Sequence, residues 1–439
     1  MATVNPPRGM RDFLPSEKAH REQLLATIRR SYRAHGFDEI ETPVMEDAAR
    51  LHSGLGGDNE KLAFAVQKRG LSADDLRRAA DTDDALSLAD LGLRFDLTVP
   101  LARFYASHRA ELPPVFRSIQ IAPVWRAERP QKGRYRQFVQ CDIDVIGEPG
   151  PLAELELLAA TIDTLGALGL EGCTIRINDR RILTGLLTHW GVPAELHGGV
   201  LITIDKLDKL GSVGVAAELA AVAEAVPAFA DQPAIAATLD GLAGAGWELL
   251  DAPPAWLDHT AYRELLALRA ALAGATAGAA PVPLVFDPTL VRGMGYYTGT
   301  VFEVAHPELP YSLAGGGRYD GMIGRFLGTD VPACGASIGF ERIVDLISAR
   351  TDNSERFVAI LSEPGTAPSA LIAIKTLLTA RGVRIRLEPR AKNQRAQLDR
   401  LAAEGVSEFA TLPALLPNEP FVVEHAAEAL QFRQLSASE

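Results

Sequence analysis

Residues 126–144 read RAERPQKGRYRQFVQCDID, and the reading of the fold starts from them. Five cations (Arg126, Arg129, Lys132, Arg134 and Arg136) face one anion, Glu128, across a turn marked by Pro130 and Gly133. The turn runs into an alternating strand. From Phe138 onward Val139, Cys141, Ile143 and Val145 fall on one face, and Gln140, Asp142 and Asp144 on the other. A cationic hairpin thus adjoins a strand face that bears an amide and two carboxylates. The hairpin suits phosphates and the acidic face suits an ammonium group. Such a pairing is what joining an amino acid to a nucleotide would need. A basic turn by itself reads equally as a solvated surface hairpin. Here it follows an apolar run (Val115, Ile119, Ile121, Val124) that is expected to be buried, and polar groups on a buried sheet need partners.

The chain of 439 residues is too long for one small domain, so two or three compact units are expected. A hydrophobic content of 47% suffices for sizeable cores. Met1–Asp12 lacks the apolar stretch of a signal peptide, and no run of about 18 uncharged apolar residues marks a membrane span. Cys141, Cys173 and Cys334 are far apart without metal or redox spacing, so no metal site and a reduced, cytoplasmic protein are expected. A net charge of −12 argues against bulk electrostatic capture of nucleic acid. Two basic islands remain possible footprints: the hairpin, and residues 381–400, where seven cations stand against Glu388 and Asp399. The second island reads as a solvated helix face or as an RNA contact.

Leu14–Gly36 predicts a helix capped by Ser16 and ended by Gly36, with Leu24, Ile28 and Tyr32 on one face. A short strand over 37–44 stops at Pro43. Residues 57–92 suggest a helical insertion without legible chemistry, 93–99 (LRFDLTV) a strand, and Pro100 the start of the next helix. Pro151–Leu168 predicts another helix. From about 180 to 280 the chain becomes rich in Ala, Leu and Gly, which predicts an all-helical insertion that packs or covers. The domains expected are therefore 1–348, a linker at 349–356, and an α/β domain over 357–439 built as strand 357–362, helix 367–381, strand 383–388, helix 392–404 and strands 406–411 and 420–424.

Three further segments carry chemistry. In LVRGMGYYTGTVFE (290–303), Arg292 lies among apolar residues and glycines that let a ligand approach; it can grip a phosphate or pair with a sheet carboxylate. AGGGRYDG (314–321) suggests a flexible backbone able to fold over a small ligand. SIGFERI (337–343) places Glu341 and Arg342 at the start of a helix, where a helical ion pair is the ordinary reading.

Taken in order, the helix and strand ending at Pro43, LRFDLT, the arginine hairpin, RGMGYYTGTVFE, GGGRYDG and GFERI resemble the histidyl-tRNA synthetases, class II aminoacyl-tRNA synthetases, over nearly the whole chain. The start Arg8-Gly9-Met10-Arg11-Asp12 is also similar to the family's signature. The resemblance implies an α+β class II catalytic core, an antiparallel sheet flanked by helices, with a helical insertion and a C-terminal anticodon-binding-like domain. It implies a homodimer that joins L-histidine to tRNA(His), with ATP as co-substrate and Mg2+ carried on ATP. Matched residue by residue, Arg126 grips the α-phosphate and Arg292 supports it during activation. Glu128, Phe138 and Arg342 surround the rest of ATP, with Phe138 and Arg342 on opposite sides of the adenine. Asp96, Leu97, Thr98, Gln140, Asp144, Tyr296 and Tyr297 surround histidine. Gln140 and Asp144 would take its amino group, and Asp96 and Tyr297 its imidazole. Arg129, Gln131 and Lys132 are the candidates for the tRNA acceptor end. The rival is a catalytically silent paralogue, the histidine-binding regulatory subunit of ATP phosphoribosyltransferase, which typically loses the ATP-gripping arginines and the C-terminal domain. Here Arg126, Arg292 and Arg342 are all present.

Overall fold

The computed structural model describes residues 4–52, 62–130, 133–275, 282–292, 295–347, 356–412 and 430–435. The chain divides into two compact units, residues 1–12 with 21–348 and residues 13–20 with 349–439.

In chain order the elements up to residue 348 run α1 (Pro15–Ala34), β1 (Asp38–Glu39), β2 (Met45–Asp47), α2 (Ala48–His52), β3 (Phe64–Gln67), α3 (Ala73–Asp81), β4 (Ala89–Leu93), α4 (Thr98–His108), β5 (Phe116–Trp125), β6 (Gln137–Ile146) and α5 (Leu152–Ala167). They continue with β7 (Thr174–Asp179), α6 (Arg180–His189), α7 (His197–Ile204), α8 (Leu207–Leu219), α9 (Gln232–Ala243), α10 (His259–Ala275), β8 (Leu284–Phe286), β9 (Thr300–Ala305), β10 (Ala314–Arg318), α11 (Asp320–Leu327), β11 (Ala333–Gly339) and α12 (Phe340–Leu346).

The central sheet has the order β1-β5-β6-β11-β10-β9-β7-β8. Its outer pairs β1–β5 and β7–β8 are parallel, and the six strands from β5 to β7 are antiparallel to their neighbours. β5 and β6 form the expected hairpin, in register from Phe116↔Ile146 to Trp125↔Gln137. The period-2 pattern of β6 sorts its side chains as the sequence predicts. Cys141, Ile143 and Val145 enter the main core with Leu24, Ile28 and Tyr32 of α1 and Leu157 and Leu158 of α5. The opposite face carries the polar residues over a second core that includes Phe95, Tyr105, Tyr297 and Tyr319.

Several local expectations give way. Helix α1 begins at Pro15, so Ser16 lies in its first turn; the Leu14 amide donates to Glu17 Oε2 at 2.8 Å instead. The strand over 37–44 shrinks to β1. Residues 62–92 are not a helical insertion: β2, β3 and β4 form an antiparallel sheet, with α3 between β3 and β4. Nor is 93–99 a strand. β4 ends at Leu93, Arg94 turns inward to donate to the Thr42 carbonyl at 2.7 Å, and α4 already starts at Thr98. The segment is buried on every side, with Arg94, Phe95, Asp96 and Leu97 all nearly inaccessible, and its backbone pairing stops at Arg94, whose amide donates to the Val44 carbonyl at 3.1 Å and whose carbonyl accepts from the Trp125 amide at 2.9 Å. The helical insertion is present as α6–α10, and α6–α9 enclose their own core of Leu183, Leu187, Val200, Val215, Phe229 and Leu239.

The second unit contains β12 (Phe357–Ser362), α13 (Pro368–Ala380), β13 (Arg384–Pro389), α14 (Gln394–Ala403), β14 (Glu408–Leu412) and β15 (Arg433–Gln434). Its sheet has the order β13-β12-β14-β15, parallel except for β15. Val358 and Ile360 pack on Ile374 and Leu378 of α13, while Phe357 and Leu361 pack with Leu401 of α14 on the opposite face. The expected strand 420–424 lies outside the described residues. Three of the island's six arginines pair with carboxylates: Arg386 with Glu404, Arg390 with Glu363, and Arg400 with Glu388 and Glu404. Arg384 lies over the Phe357 ring, 4.1 Å from its centroid.

Candidate active site

The polar face of β6 lies mid-sheet, and that placement makes it chemically unusual. Gln140, Asp142 and Asp144 are 8%, 4% and 4% exposed. The register sets Asp142 between Gln120 and Ser337, and Asp144 between Ser118 and Gly335. Gln140 Nε2 donates to Ser337 Oγ at 3.1 Å and to Asp142 at 3.2 Å, which leaves its Oε1 buried without a hydrogen bond. The Tyr319 hydroxyl donates to Asp144 Oδ1 at 2.6 Å. Asp96, 2% exposed at the entry to α4, accepts from the Val99 amide, and its Oδ2 has no hydrogen-bond partner.

Burial dominates the titration of these acids, because a carboxylate loses its hydration inside the sheet. It pushes Asp96 up to about 6, against the pull of the Val99 amide and of Arg126. It pushes Asp144 up to about 7, aided by Asp96 and opposed by the Tyr319 hydrogen bond. Asp142 is raised as well, by burial first and by Asp144 second. Three crowded acids with two orphaned acceptor oxygens form a socket for a cationic, hydrogen-bond-donating group.

Cations gather beside this socket. Arg126 Nε donates to the Phe95 carbonyl at 3.0 Å, and its guanidinium carbon lies 5.0 Å from the Phe138 ring centroid. Arg342 donates to the Ser312 carbonyl and lies 4.9 Å from the Tyr311 ring centroid. Burial pulls the Arg342 pKa down, and the charges of Arg292 and Arg126 pull it further, so the three guanidinia act on one another. Like charges held together without enough carboxylates form a site for a polyanion.

Arg292 is paired with Glu303 of β9, as the carboxylate reading of this arginine has it; its Nε is buried without a hydrogen-bond partner. The glycine run is not a flexible loop. It forms β10, buried in the sheet, and the missing side chains make room for neighbours: a Cβ at Gly315 would sit 2.6 Å from Arg292 Nη1, and one at Gly317 2.9 Å from Tyr297.

Leu97 is fully buried and Thr98 opens α4. The Tyr296 ring packs against Tyr297, centroids 4.7 Å apart, and meets Tyr319 edge-on at 6.0 Å. Asp96, Gln140, Asp144 and Tyr297 are thus buried in or against one face of the sheet. Glu128 is drawn to the hairpin by an ion pair with Arg134. Arg129 is exposed on the hairpin, and Gln131 and Lys132 lie outside the described residues.

Some functional residues escaped the sequence reading. Ser337 and Gly335 reach the acidic face through the register of β11 with β6, and Tyr319 through the turn between β10 and α11; Tyr319 and Ser337 belong to motifs noted above, whereas Gly335 lies in none. Glu341 does not pair with its neighbour Arg342. It binds Arg21 of α1 through both oxygens at 2.7 Å, pairs with Arg11, and accepts from the Val139 amide at 3.3 Å. Among the described residues no group of three or more His, Cys, Asp or Glu could hold a metal ion, and the three cysteines are buried and free. A separate cleft of about 590 Å³ is lined by Arg180, Thr184, Thr188, His189, Trp256 and Thr298, at the base of the insertion. We place the chemistry in the acidic socket and not in this cleft, because the cleft holds no unpaired buried acid.

The eight-stranded mixed sheet flanked by helices matches the core of class II aminoacyl-tRNA synthetases. The family model described as histidyl-tRNA synthetase matches residues 9–343. The histidine–tRNA ligase of Leifsonia xyli is 61% identical over 94% of this chain and 96% of its own length. That of Aeropyrum pernix is 38% identical, over 77% of this chain and 73% of its own. The chain therefore belongs to the histidyl-tRNA synthetase family. In fold it matches the histidyl-tRNA synthetase of a Nostoc species with a TM-score of 0.74 at 24% identity, covering 100% of this chain and 96% of that one. It also matches an ATP phosphoribosyltransferase regulatory subunit/histidyl-tRNA synthetase from Bacillus halodurans, with a TM-score of 0.70 at 22% identity, covering 90% and 96%. Among the described residues, no helix is long and apolar enough to cross a membrane.

Proposed function

We propose that the chain is a histidine–tRNA ligase that activates L-histidine with ATP and passes it to tRNA(His). The carrying observation is the socket, where Asp96, Asp142 and Asp144 crowd together with unpartnered acceptors on Asp96 and Gln140. Gln140 and Asp144 receive the α-ammonium group of histidine, and the cation relieves the strain of holding these acids in the sheet. Asp96 and Tyr297 address the imidazole; Leu97, Thr98 and Tyr296 shape the pocket around it. ATP lies over the arginines, with its adenine on Phe138 and near Glu128, and its terminal phosphates toward Arg342.

The histidine carboxylate attacks the α-phosphorus and pyrophosphate leaves. Arg126 and Arg292 meet the charge that builds on the α-phosphoryl oxygens, so each acts in the transition state more than in the ground state. Mg2+ would arrive on ATP: of the carboxylates near Arg292, Glu303 is paired with it and Asp205 also feels its charge, so both are already engaged by the protein. When bound, the ion neutralises charge on the leaving phosphates. A hydroxyl of the tRNA's 3′-terminal adenosine then attacks the carbonyl carbon of the histidyl-adenylate, giving its proton to a phosphate oxygen of the adenylate as AMP leaves, with Arg129, Gln131 and Lys132 guiding the acceptor end. Residues 1–348 form the catalytic core, and 357–439 after the 349–356 linker form the anticodon-binding-like domain of a cytoplasmic homodimer. The curated relatives at 61% and 38% identity are histidine–tRNA ligases, which favours this reading over the regulatory paralogue.

The test is exchange of labelled pyrophosphate into ATP with each amino acid in turn. Exchange with histidine alone is expected, and Arg126→Ala should slow it by roughly 100- to 1,000-fold. Histidine binding without exchange would overturn the ligase reading in favour of the regulatory one.

A further inference from the structure

Consecutive residues of the loop before β9 are committed to different cores. Leu290, 4% exposed, packs with Phe95, Tyr297 and Tyr319 beneath the socket. Val291, also 4% exposed, is buried in the insertion's own core with Leu183, Leu187, Val200 and Leu239. Arg292 then turns back to the arginine cluster and Glu303.

The backbone around this crossover is held from both sides. The Leu290 carbonyl accepts from Asn178 Nδ2 at 3.1 Å, and Asn178 is fully buried at the end of β7. Asp287 turns the chain by accepting from the Thr289 amide and hydroxyl at 2.9 and 2.7 Å. Arg176 of β7 joins Asp287 at 2.5 Å to Asp208 of α8 at 2.8 Å, which ties the loop to the insertion a second time. Packed cores resist small displacements, so a side chain seated in one imposes its position on the backbone that carries it.

We propose that Val291 is a positioning residue for activation. Through it the helical insertion sets where the Arg292 guanidinium stands, and the insertion thereby takes part in adenylate formation without touching substrate. The inference rests on the reading of Arg292 as the α-phosphate arginine. Val291 has no polar atom to offer a ligand, so any effect on catalysis must pass through its neighbour. Arg292 meets charge that grows in the transition state, so a shift of about 1 Å should reduce turnover more than it weakens ground-state binding.

The test is a mutant cycle in the full chain, read by histidine-dependent pyrophosphate exchange. Val291→Ala should lower kcat on the order of tenfold to a hundredfold while KM for histidine stays within about twofold. In an Arg292→Ala background the same change should cost less than about twofold, because the group it positions is gone. Leu239→Ala, in the same insertion core but on α9, which carries no part of the loop, serves as the control for weakened packing. It should lower thermal stability comparably with a much smaller loss of kcat. The inference is overturned if Val291→Ala leaves kcat unchanged, if its effect is equally large without Arg292, or if Leu239→Ala mimics it. Near-normal exchange by Arg292→Ala alone would instead remove the reading of Arg292 itself, so the two failures are distinguishable.

Discussion

Asp144→Asn should stabilise the ligand-free protein while abolishing histidine binding, and the stabilisation should grow with pH. Asp144 is 4% exposed in the middle of β6, and burial pushes its carboxyl up to about 7 from 3.8. A raised acid pKa means that the folded chain keeps a proton which the unfolded chain has already released. Stability is therefore lost as pH rises from near 4 to near 7, and the loss is complete above the folded value. At about 1.36 kcal/mol per unit, a shift of roughly three units amounts to roughly 4 kcal/mol above pH 7 and about half that near pH 5. Asparagine keeps an oxygen for the Tyr319 hydroxyl and carries no charge. Its amide hydrogens cost about 1–3 kcal/mol if they find no acceptor, and this penalty is the same at every pH. The pH-dependent part is thus free of how well the amide packs: the variant should gain roughly 2–3 kcal/mol on the wild type between about pH 5 and pH 8. All four tryptophans (Trp125, Trp190, Trp247, Trp256) lie in the first unit, so urea unfolding followed by intrinsic fluorescence reports on the unit that matters. A stability gap that is flat with pH, or that shrinks toward pH 8, would refute the electrostatic account of the socket. Retained histidine binding by the variant would refute the role assigned to Asp144.

The remaining expectations test neighbours of the same site. Gly335→Ala places a Cβ on Asp144 Oδ1, so KM for histidine should rise by tenfold or more, on the order of the 1.4 kcal/mol lost from one displaced hydrogen bond; unchanged kinetics would show that the carboxylate can move aside freely. Tyr319→Phe removes the hydrogen bond that holds the Asp144 pKa down, so the rise of histidine affinity with pH should move to higher pH. A profile moved the other way in calorimetric titrations would contradict the donor role. Glu341→Gln removes the charge from a pair with Arg21 in which both partners are almost fully buried. It should cost roughly 3–5 kcal/mol in the same urea assay, and a loss under about 1 kcal/mol would mean that the guanidinium finds other acceptors.

Much of this protein follows from local pattern. The 3.6-residue spacing of Leu24, Ile28 and Tyr32 suffices for α1, and the period-2 alternation of 138–146 suffices for β6 and the sidedness of its acids. The α/β succession after residue 356 is equally plain, because each strand and helix buries a face made from its own residues. Gln140, Asp144 and the arginines could be picked out as ligand-facing because their type conflicts with a buried setting. Other features depended on partners far away in the chain. LRFDLTV alternates like a strand, yet only its first two residues pair through the backbone; the Arg94 side chain turns in to carbonyls of Thr42 and Pro43, and a helix starts at Thr98. Glycines 315–317 looked like a loop because glycine is permissive; only the neighbouring Arg292, Phe302 and Tyr297 show that they mark close approach within a sheet.

The composition of the socket was thus written in the sequence, and its electrostatics were not. Period and residue type are local properties, so they reveal that β6 carries acids on one face. The pKa of those acids depends on desolvation by the sheets and helices above them, and on Tyr319, which is 175 positions away from Asp144. Likewise Glu303 as the resting partner of Arg292, and Arg21 as that of Glu341, emerge only when register and packing bring separate segments within hydrogen-bond distance. Charge interactions decay over a few ångströms and take no account of sequence separation, so it was the tertiary structure that decided them.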